Sequence, residues 1–525
     1  MHWADYTAQR LMERGDEQVS ASGITPSGEF HIGHLREILS AEMIHRACLD
    51  AGMSSKYIFI VDSMDPLRRV YDFLSPEYEE FIGCPLAFIP APGEDGSPGD
   101  GGISYAEHFL SPFLEALEEI GVIPDDIVMN HETYEKGLFA EYIDSAITKR
   151  NEIRGIIEEI SGRELSEDWF PYNPMGSDGS LDRVKVTGYE KPYVFWKDSH
   201  GNEGKADIRK AQGKMPWRID WAARWGIHEI TCEPAGKDHG AAGGSYDTGI
   251  PICKLLGGNP PEKMVYEWIQ LKGMGPMSSS TGLTIGPMEA LSIVPPEILR
   301  YVIARSKMNR HIEFDTGGMM FVTADEYERL VSKPPSIEEG MSKRKKISVN
   351  TRTGAMRLSQ VSRISVPSES VGGVSFRHLS MLAQIKSSDD DVWTSLNKSG
   401  HIQGEPSDSL RGRLSRMRNW IGGPHFPENA RVKIRNEIGD EAKEQIGDEG
   451  IFFLNELASL LSECEWNDAR IGGAISEACD SRGISRKEGY AAIYWAMIGR
   501  RYGPKASSLI FEMDRGEIVS LLGSS

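Results

Sequence analysis

At 525 residues the chain exceeds the roughly 250 to 300 at which a single core stops growing, so two to four domains are expected. With 39% hydrophobic residues, no apolar run near the roughly 20 residues of a membrane helix, and a start (Met1-His-Trp-Ala-Asp) without a basic region and apolar core, composition excludes a membrane protein and implies the cytoplasm. Six scattered cysteines exclude a disulfide framework or a paired-cysteine metal site, and a net charge of −20 restricts any polyanion binding to local basic tracks.

The first informative stretch is Ser22-Gly-Ile-Thr-Pro-Ser-Gly-Glu-Phe-His-Ile-Gly-His34. An apolar run from Val19 to Ile24 stops there at turn-forming residues, and an amphipathic helix from Leu35 to Leu49 begins, so His31 and His34 fall at a helix N-terminus. First-turn amides lack intrahelical partners and the helix dipole adds positive potential, so two imidazoles three positions apart can face a triphosphate. Gly33 between them allows close approach to the backbone. An apolar strand, Tyr57 to Val61, ends at Asp62 and completes one unit of a nucleotide-binding α/β sheet.

Residues 90–102 (Pro-Ala-Pro-Gly-Glu-Asp-Gly-Ser-Pro-Gly-Asp-Gly-Gly) spell a loop. Between Asp168 and Gly213 short strands (Leu181 to Val186, Tyr193 to Lys197) alternate with Gly and Asp turns, an insertion within the sheet domain. A strand-like run, Glu229 to Glu233, precedes Gly-Lys-Asp-His239, and Met277-Ser-Ser-Ser280 follows a later run. A basic connector from Pro334 to Gly354 leads to helix-forming segments, Arg431 to Gln445, Ile451 to Cys464 and Lys487 to Ile498. The expected layout is residues 1–167 and 214–335 as two parts of a Rossmann-type parallel-sheet α/β domain, 168–213 as a small β-rich insertion, and 336–525 as an all-α region.

The His31-Ile-Gly-His34 string resembles the first signature of class I aminoacyl-tRNA synthetases, and Met277-Ser278-Ser279-Ser280 resembles the second. Gly213 to Trp225 (Gly-Lys-Met-Pro-Trp-Arg-Ile-Asp-Trp-Ala-Ala-Arg-Trp), Glu233-Pro-Ala-Gly-Lys-Asp-His239, Gly243 to Gly249, Ser104 to Phe109, Pro296 to Arg305 and Phe376 to Ile385 are similar to the archaeal-type class I lysyl-tRNA synthetases. The resemblance implies activation of L-lysine by ATP with Mg²⁺ and transfer to tRNA(Lys). The alternatives are a class I synthetase for glutamate, glutamine or cysteine, and a non-catalytic tRNA-binding paralogue that retains the fold.

By this resemblance the catalytic residues are His31, Gly33, His34 and Met277 to Ser280, with Thr25, Gly28, His31, His34 and Lys272 on ATP. Gly23, Thr25, Trp217, His239 and Tyr266 surround the amino acid, with Asp62, Glu233 and Asp238 as carboxylates for its ammonium; Trp217 and Tyr266 are also readable as core aromatics. Two departures stand out. The second signature normally carries lysines, whereas Pro276 and Thr281 occupy those positions here, which directs attention to Lys272 or Lys237 as the phosphate cation. The cysteines of the family's zinc sites are replaced at Met175 to Asp178, Asp198 to His200 and Gly101-Gly102, leaving only His108, so no structural zinc is expected. The helical region is expected to read the anticodon, with Trp420, Phe426, Tyr490, Trp495 and Arg500 as stacking or arginine contacts, and Lys343 to Lys346, Arg411, Arg413, Arg416, Arg418, Arg500, Arg501 and Lys505 as basic tracks.

Overall fold

The computed structural model describes residues 1–272, 275–276 and 285–523; Met277, Ser278, Ser279 and Ser280 lie outside the described residues. The chain divides into two compact units. One comprises Met1–Leu291, Leu299–Phe314 and Pro335–Ile364, and the other Ser292–Ile298, Asp315–Pro334 and the chain from Ser365 onward.

The first unit is built on five parallel strands: β1 (Glu17–Ile24), β2 (Ser54–Val61), β3 (Asp126–Met129), β4 (Cys232–Gly236) and β5 (Glu262–Tyr266). They lie side by side in the order β5-β4-β1-β2-β3. The last five residues of β2 are consecutively buried, as a strand covered on both faces requires. Chain progression runs outward from β1 to β3 on one side and resumes at β4 on the other, which opens a crevice at the carboxyl ends of β1 and β4.

Helices α1 (Trp3–Met12), α2 (Leu35–Asp50), α3 (Tyr105–Glu119), α4 (Trp217–Ile227) and α5 (Ser245–Leu255) belong to this unit. α3 starts on a capping box in which Ser104 and Glu107 satisfy each other's amides. α2 is buried on nearly every side, and its charged residues are matched inside: Glu42 pairs with Arg46 and, at 2.7 Å, with Arg300.

The insertion is a three-stranded antiparallel sheet (Val184–Glu190, Tyr193–Asp198, Glu203–Asp207) over the buried side chains of Val194, Trp196 and Ala206. Its turns are tied by aspartates: Asp178 accepts from the Ser180 amide and hydroxyl, and Asp198 from the amides of His200 and Asn202. Among the described residues no group of three or more His, Cys, Asp or Glu side chains is arranged to hold a metal ion, and no helix is long and apolar enough to cross a membrane.

The described part of the second unit is helical. Met319–Ser332, Phe376–Ile385 and Asp408–Gly422 pack around Phe321, Phe376, Trp420 and Phe426, and Asp440–Glu463, Asp468–Arg482 and Arg486–Ile498 form a further bundle. Several sequence expectations change here. The helix expected over Arg431 to Gln445 begins only at Asp440, because residues 431–439 run irregularly, with the Arg435 amide donating to the Met497 carbonyl, and Gly447 at φ +69° then breaks the helix. Likewise the strand expected over Glu229 to Glu233 starts at Cys232, since Glu229 sits in a turn at φ +51°. Trp420 and Phe426 are core residues rather than stacking surfaces; the Trp420 indole donates to the Thr316 carbonyl at 2.7 Å. Arg413 is buried between Glu328 and Glu297 and offers no charge to a polyanion.

Candidate active site

β1 delivers the chain to the crevice, and the signature turn leaves from its end. The Gly33 amide donates to Nδ1 of His31 at 3.1 Å, and Nδ1 of His34 lies 3.1 Å from the His31 amide, so the two rings cap the short helical turn that runs into α2. Accepting at Nδ1 fixes the neutral tautomer of His31 with its proton on Nε2. Phe30, stacked on Phe113 with centroids 4.3 Å apart, meets the His34 ring edge-on. Burial holds His31 at about 4 and His34 at about 3, below the usual imidazole range. Both are therefore uncharged at physiological pH and meet phosphate as hydrogen-bond donors, not as cations. The turn itself is anchored by the Tyr105 hydroxyl, which donates to the Ser27 carbonyl at 2.8 Å, while Gly28 packs against the ring of Phe73.

Beside this turn lies an acidic pocket. Gly23 leaves an opening whose nearest atoms are Oε1 of Glu233 and Oδ2 of Asp62, at 3.5 and 3.8 Å from where a Cβ would stand. The Gly23 amide donates to Oε1 of Glu37 at 2.8 Å, and the Tyr266 hydroxyl donates to Oε2 at 2.8 Å. Burial pushes Glu37 up to about 8 against those two hydrogen bonds, and it raises Glu233 as well. Glu233 also accepts from the Trp225 indole at 2.7 Å.

Trp217 and Trp221 stack along one face of α4 (centroids 5.3 Å), and both face the His239 ring at 5.7 Å. Below them Arg224 pairs with Asp62 at 2.5 Å and with Asp220 at 3.1 Å, and Lys214 pairs with Asp65 at 3.2 Å; Asp65 in turn accepts from the Thr25 hydroxyl at 2.8 Å. Five carboxylates (Glu37, Asp62, Asp65, Asp220, Glu233) thus face two cations, and among the described residues neither Glu37 nor Glu233 joins an ion pair. The indole nitrogen of Trp217 is buried without a hydrogen-bond partner. Such a pocket has more carboxyl groups than cations, and a substrate carrying an ammonium group would redress that balance.

The structure brings Gly23, Thr25, Asp62, Glu233, Tyr266, Trp217 and His239 into this one region through the contacts just given. Asp62 is committed to Arg224, which leaves Glu233 as the better-placed of the three proposed carboxylates, while Asp238 is half-exposed at 3.6 Å from the His239 ring. Lys237 is held by Glu267 at 2.7 Å and lies over Trp268. Lys272 is exposed at the end of the strand Ile269–Leu271, its amide bonded to Phe314. Sequence reasoning missed Glu37, Trp221, Arg224, Asp65 and Lys214. The i, i+4 pairs Trp217/Trp221 and Asp220/Arg224 carried a signal on α4; Glu37 carried only that of an acid on the inner face of a helix start.

The second unit contains a cavity of about 810 Å³ whose lining includes His378, His401, Trp466, Arg500, Tyr502 and Lys505. His378 and His401 are stacked at 4.5 Å, and Nε2 of His378 and Nε of Arg500 are buried without partners. Of the expected anticodon contacts Arg500 lines this cavity, whereas Tyr490 and Trp495 lie elsewhere on their helix.

Switch-point geometry of this kind belongs to nucleotide-binding α/β enzymes. The profile of the family described as "tRNA synthetases class I (K)" matches residues 1–359, and the chain belongs to that family. It is 34% identical to the lysine--tRNA ligase of Thermoplasma volcanium over 534 residues, covering all of both chains. Identity is 37% to the lysine--tRNA ligase of Archaeoglobus fulgidus, over 97% of each chain, and 34% to that of Picrophilus torridus, over 100% of this chain and 99% of the relative.

Proposed function

We propose that the chain is a lysine--tRNA ligase that activates L-lysine with ATP and passes the lysyl group to tRNA(Lys). The observation that carries the substrate is the pair of carboxyl groups beside Gly23: Glu37, which accepts the Gly23 amide, and Glu233, which is nearest to where a Cβ would stand, and among the described residues neither joins an ion pair. A glutamate or glutamine substrate would need cations or amide partners there instead.

In the first step the lysine carboxylate attacks the α-phosphorus of ATP and pyrophosphate leaves; in the second a ribose hydroxyl of the tRNA 3′ end attacks the adenylate carbonyl and AMP leaves. Positioning and electrostatics supply most of the acceleration of phosphoryl chemistry. His31 and His34, as neutral donors fixed at a helix start, stabilise charge growing on the phosphates, with Gly33 and the turn around Thr25 and Gly28 allowing close approach. Met277 to Ser280 supply hydroxyl and amide donors, and Lys272 is the proposed cation. Mg²⁺ enters with the nucleotide as its counter-ion. Gly23, Glu37, Glu233, Tyr266, Trp217 and His239 hold lysine, with Asp238 at the rim, while Arg224 neutralises Asp62 so that it orders the pocket floor. The cavity of the second unit, with histidines, aromatics and basic residues, suits an unpaired anticodon base.

Pyrophosphate exchange with each of the 20 amino acids, with and without tRNA, tests the assignment. Exchange with lysine, dependent on tRNA as in the resembled family, is the expected result. Exchange with glutamate, or with no amino acid, sinks it.

A further inference from the structure

The loop at residues 90–102 and the segment that follows β2 have no part in the chemistry above, yet they build an ordered surface beside the signature turn. Arg69, Tyr71 and Phe73 alternate along this segment. The Arg69 guanidinium lies 5.1 Å from the centre of the Tyr71 ring, and the Tyr71 and Phe73 rings are parallel within 1° at 5.6 Å. Phe73 is 40% exposed, Tyr71 is half-buried, and Arg68 and Arg69 are exposed. At its inner end the stack abuts the active site: Phe73 Cζ is 3.2 Å from where a Cβ on Gly28 would stand, and the ring meets Phe109 edge-on.

The stack is held rigidly. The Ser75 amide donates to the Gly96 carbonyl at 2.8 Å and the Leu74 amide to the Tyr71 carbonyl at 2.9 Å. Gly96, at φ +78°, packs so closely that a Cβ there would stand 2.5 Å from the Phe73 carbonyl oxygen. The Gly-rich loop therefore acts as a clamp on the aromatic segment. Ordered aromatics left partly in water, with two arginines alongside, form the kind of surface on which unpaired bases stack while cations meet the phosphates.

We propose that Arg69, Tyr71 and Phe73 form a stacking platform for the unpaired 3′-terminal nucleotides of the tRNA, guiding the acceptor ribose toward the adenylate. The proposal rests on the ligase reading above. Arg68 and Arg69 take the backbone phosphates, and Tyr71 and Phe73 take a base.

The test compares binding of intact tRNA(Lys) with tRNA lacking its 3′-terminal nucleotides, by filter binding to the full chain. The wild-type protein is expected to prefer the intact tRNA about tenfold, the scale of one base stack, and Tyr71→Ala and Phe73→Ala to bring the two within threefold. Tyr71→Trp is expected to keep the preference, and KM for ATP to stay within twofold in Tyr71→Ala, which separates this role from stacking of the ATP adenine. If the alanine variants discriminate as well as wild type, or wild type binds both tRNAs equally, the platform is refuted while the ligase assignment stands. If the wild-type chain binds no tRNA, both fall.

Discussion

The Tyr266 hydroxyl donates to Glu37 at 2.8 Å, joining the end of β5 to the first turn of α2 across the crevice. That bond and the Gly23 amide orient a carboxyl group that burial still holds up to about 8. A bound ammonium favours the ionised form, so below pH 8 binding lysine must expel the Glu37 proton. Affinity should rise with pH up to about 8 and then level, because the lysine ammonium stays charged to about pH 10.4. The KM for lysine is expected to fall roughly tenfold between pH 6.5 and 8, at most tenfold per unit by proton linkage. Glu37→Gln should raise KM at least tenfold and flatten the profile; a slope that persists in this variant refutes the assignment.

Gly23 is where the pocket is most sensitive to volume. A Cβ there makes only ordinary contacts with Glu233 and Asp62, so Gly23→Ala should fold with an unchanged melting temperature. It occupies space between the two carboxylates, however, and KM for lysine should rise about tenfold while KM for ATP does not move. A parallel rise in both constants would show that Gly23 shapes the loop and not the amino-acid site.

Because His31 and His34 are held at about 4 and about 3 by burial, neither changes charge between pH 5.5 and 8. The rate of pyrophosphate exchange at saturating lysine should therefore show no ionisation from this pair in that range. His31→Ala should lower exchange by about 10² to 10³, the usual cost of one transition-state donor. A pH limb near 6.5 that vanishes in His31→Ala would instead mean that the rings act as cations.

Arg413 illustrates a charge whose work is internal. It pairs with Glu328 at 2.9 Å and Glu297 at 3.5 Å inside the second unit, and both carboxyls are raised by burial with Arg413 as the opposing influence. Arg413→Met should cost about 3 to 5 kcal/mol by leaving two carboxyl groups buried without their cation. The salt dependence of tRNA binding should be unchanged at temperatures where the variant is folded. Loss of a counter-ion from that slope without loss of stability would return Arg413 to the RNA surface.

Much of the catalytic frame was legible because its signals are local. The turn around Gly33 sits between an apolar run and an amphipathic helix, and β1, the turn and α2 form there as expected. In the expected insertion the strand over Tyr193 to Lys197 forms at its expected place, whereas the one expected over Leu181 to Val186 runs from Val184 to Glu190 and the third, Glu203–Asp207, was not anticipated. What escaped is set by contacts far apart in sequence. Glu37 is held by the Gly23 amide and by Tyr266 of β5, the latter 229 positions away. The platform segment reads as an unremarkable loop until Gly96 closes on Phe73. Arg413 and Trp420 look like solvent-facing residues on a basic helix, and only the packing of Phe376 and Glu328 shows that this face is interior. At Arg431 to Gln445 helix-forming composition outweighed Gly439 and Gly447, the two residues at which the backbone breaks pattern.

The cation for the leaving pyrophosphate is the remaining question of chemistry, since Pro276 and Thr281 occupy the positions at which the resembled signature carries lysines. Of the two lysines considered from sequence, Lys237 pairs with Glu267 at 2.7 Å and lies 4.5 Å from the Trp268 ring centre. Lys272 is exposed and stands five residues before Met277 in the sequence, with its backbone amide bonded to the Phe314 carbonyl. Removing a charge from a phosphate clamp typically costs several kcal/mol, so Lys272→Ala should lower pyrophosphate exchange at least tenfold. Lys272→Arg should retain most of the rate, because charge rather than shape is required there, and KM for lysine should not move in either variant. Normal exchange by Lys272→Ala would refute this role and shift the burden to serine hydroxyls and backbone amides of the signature itself.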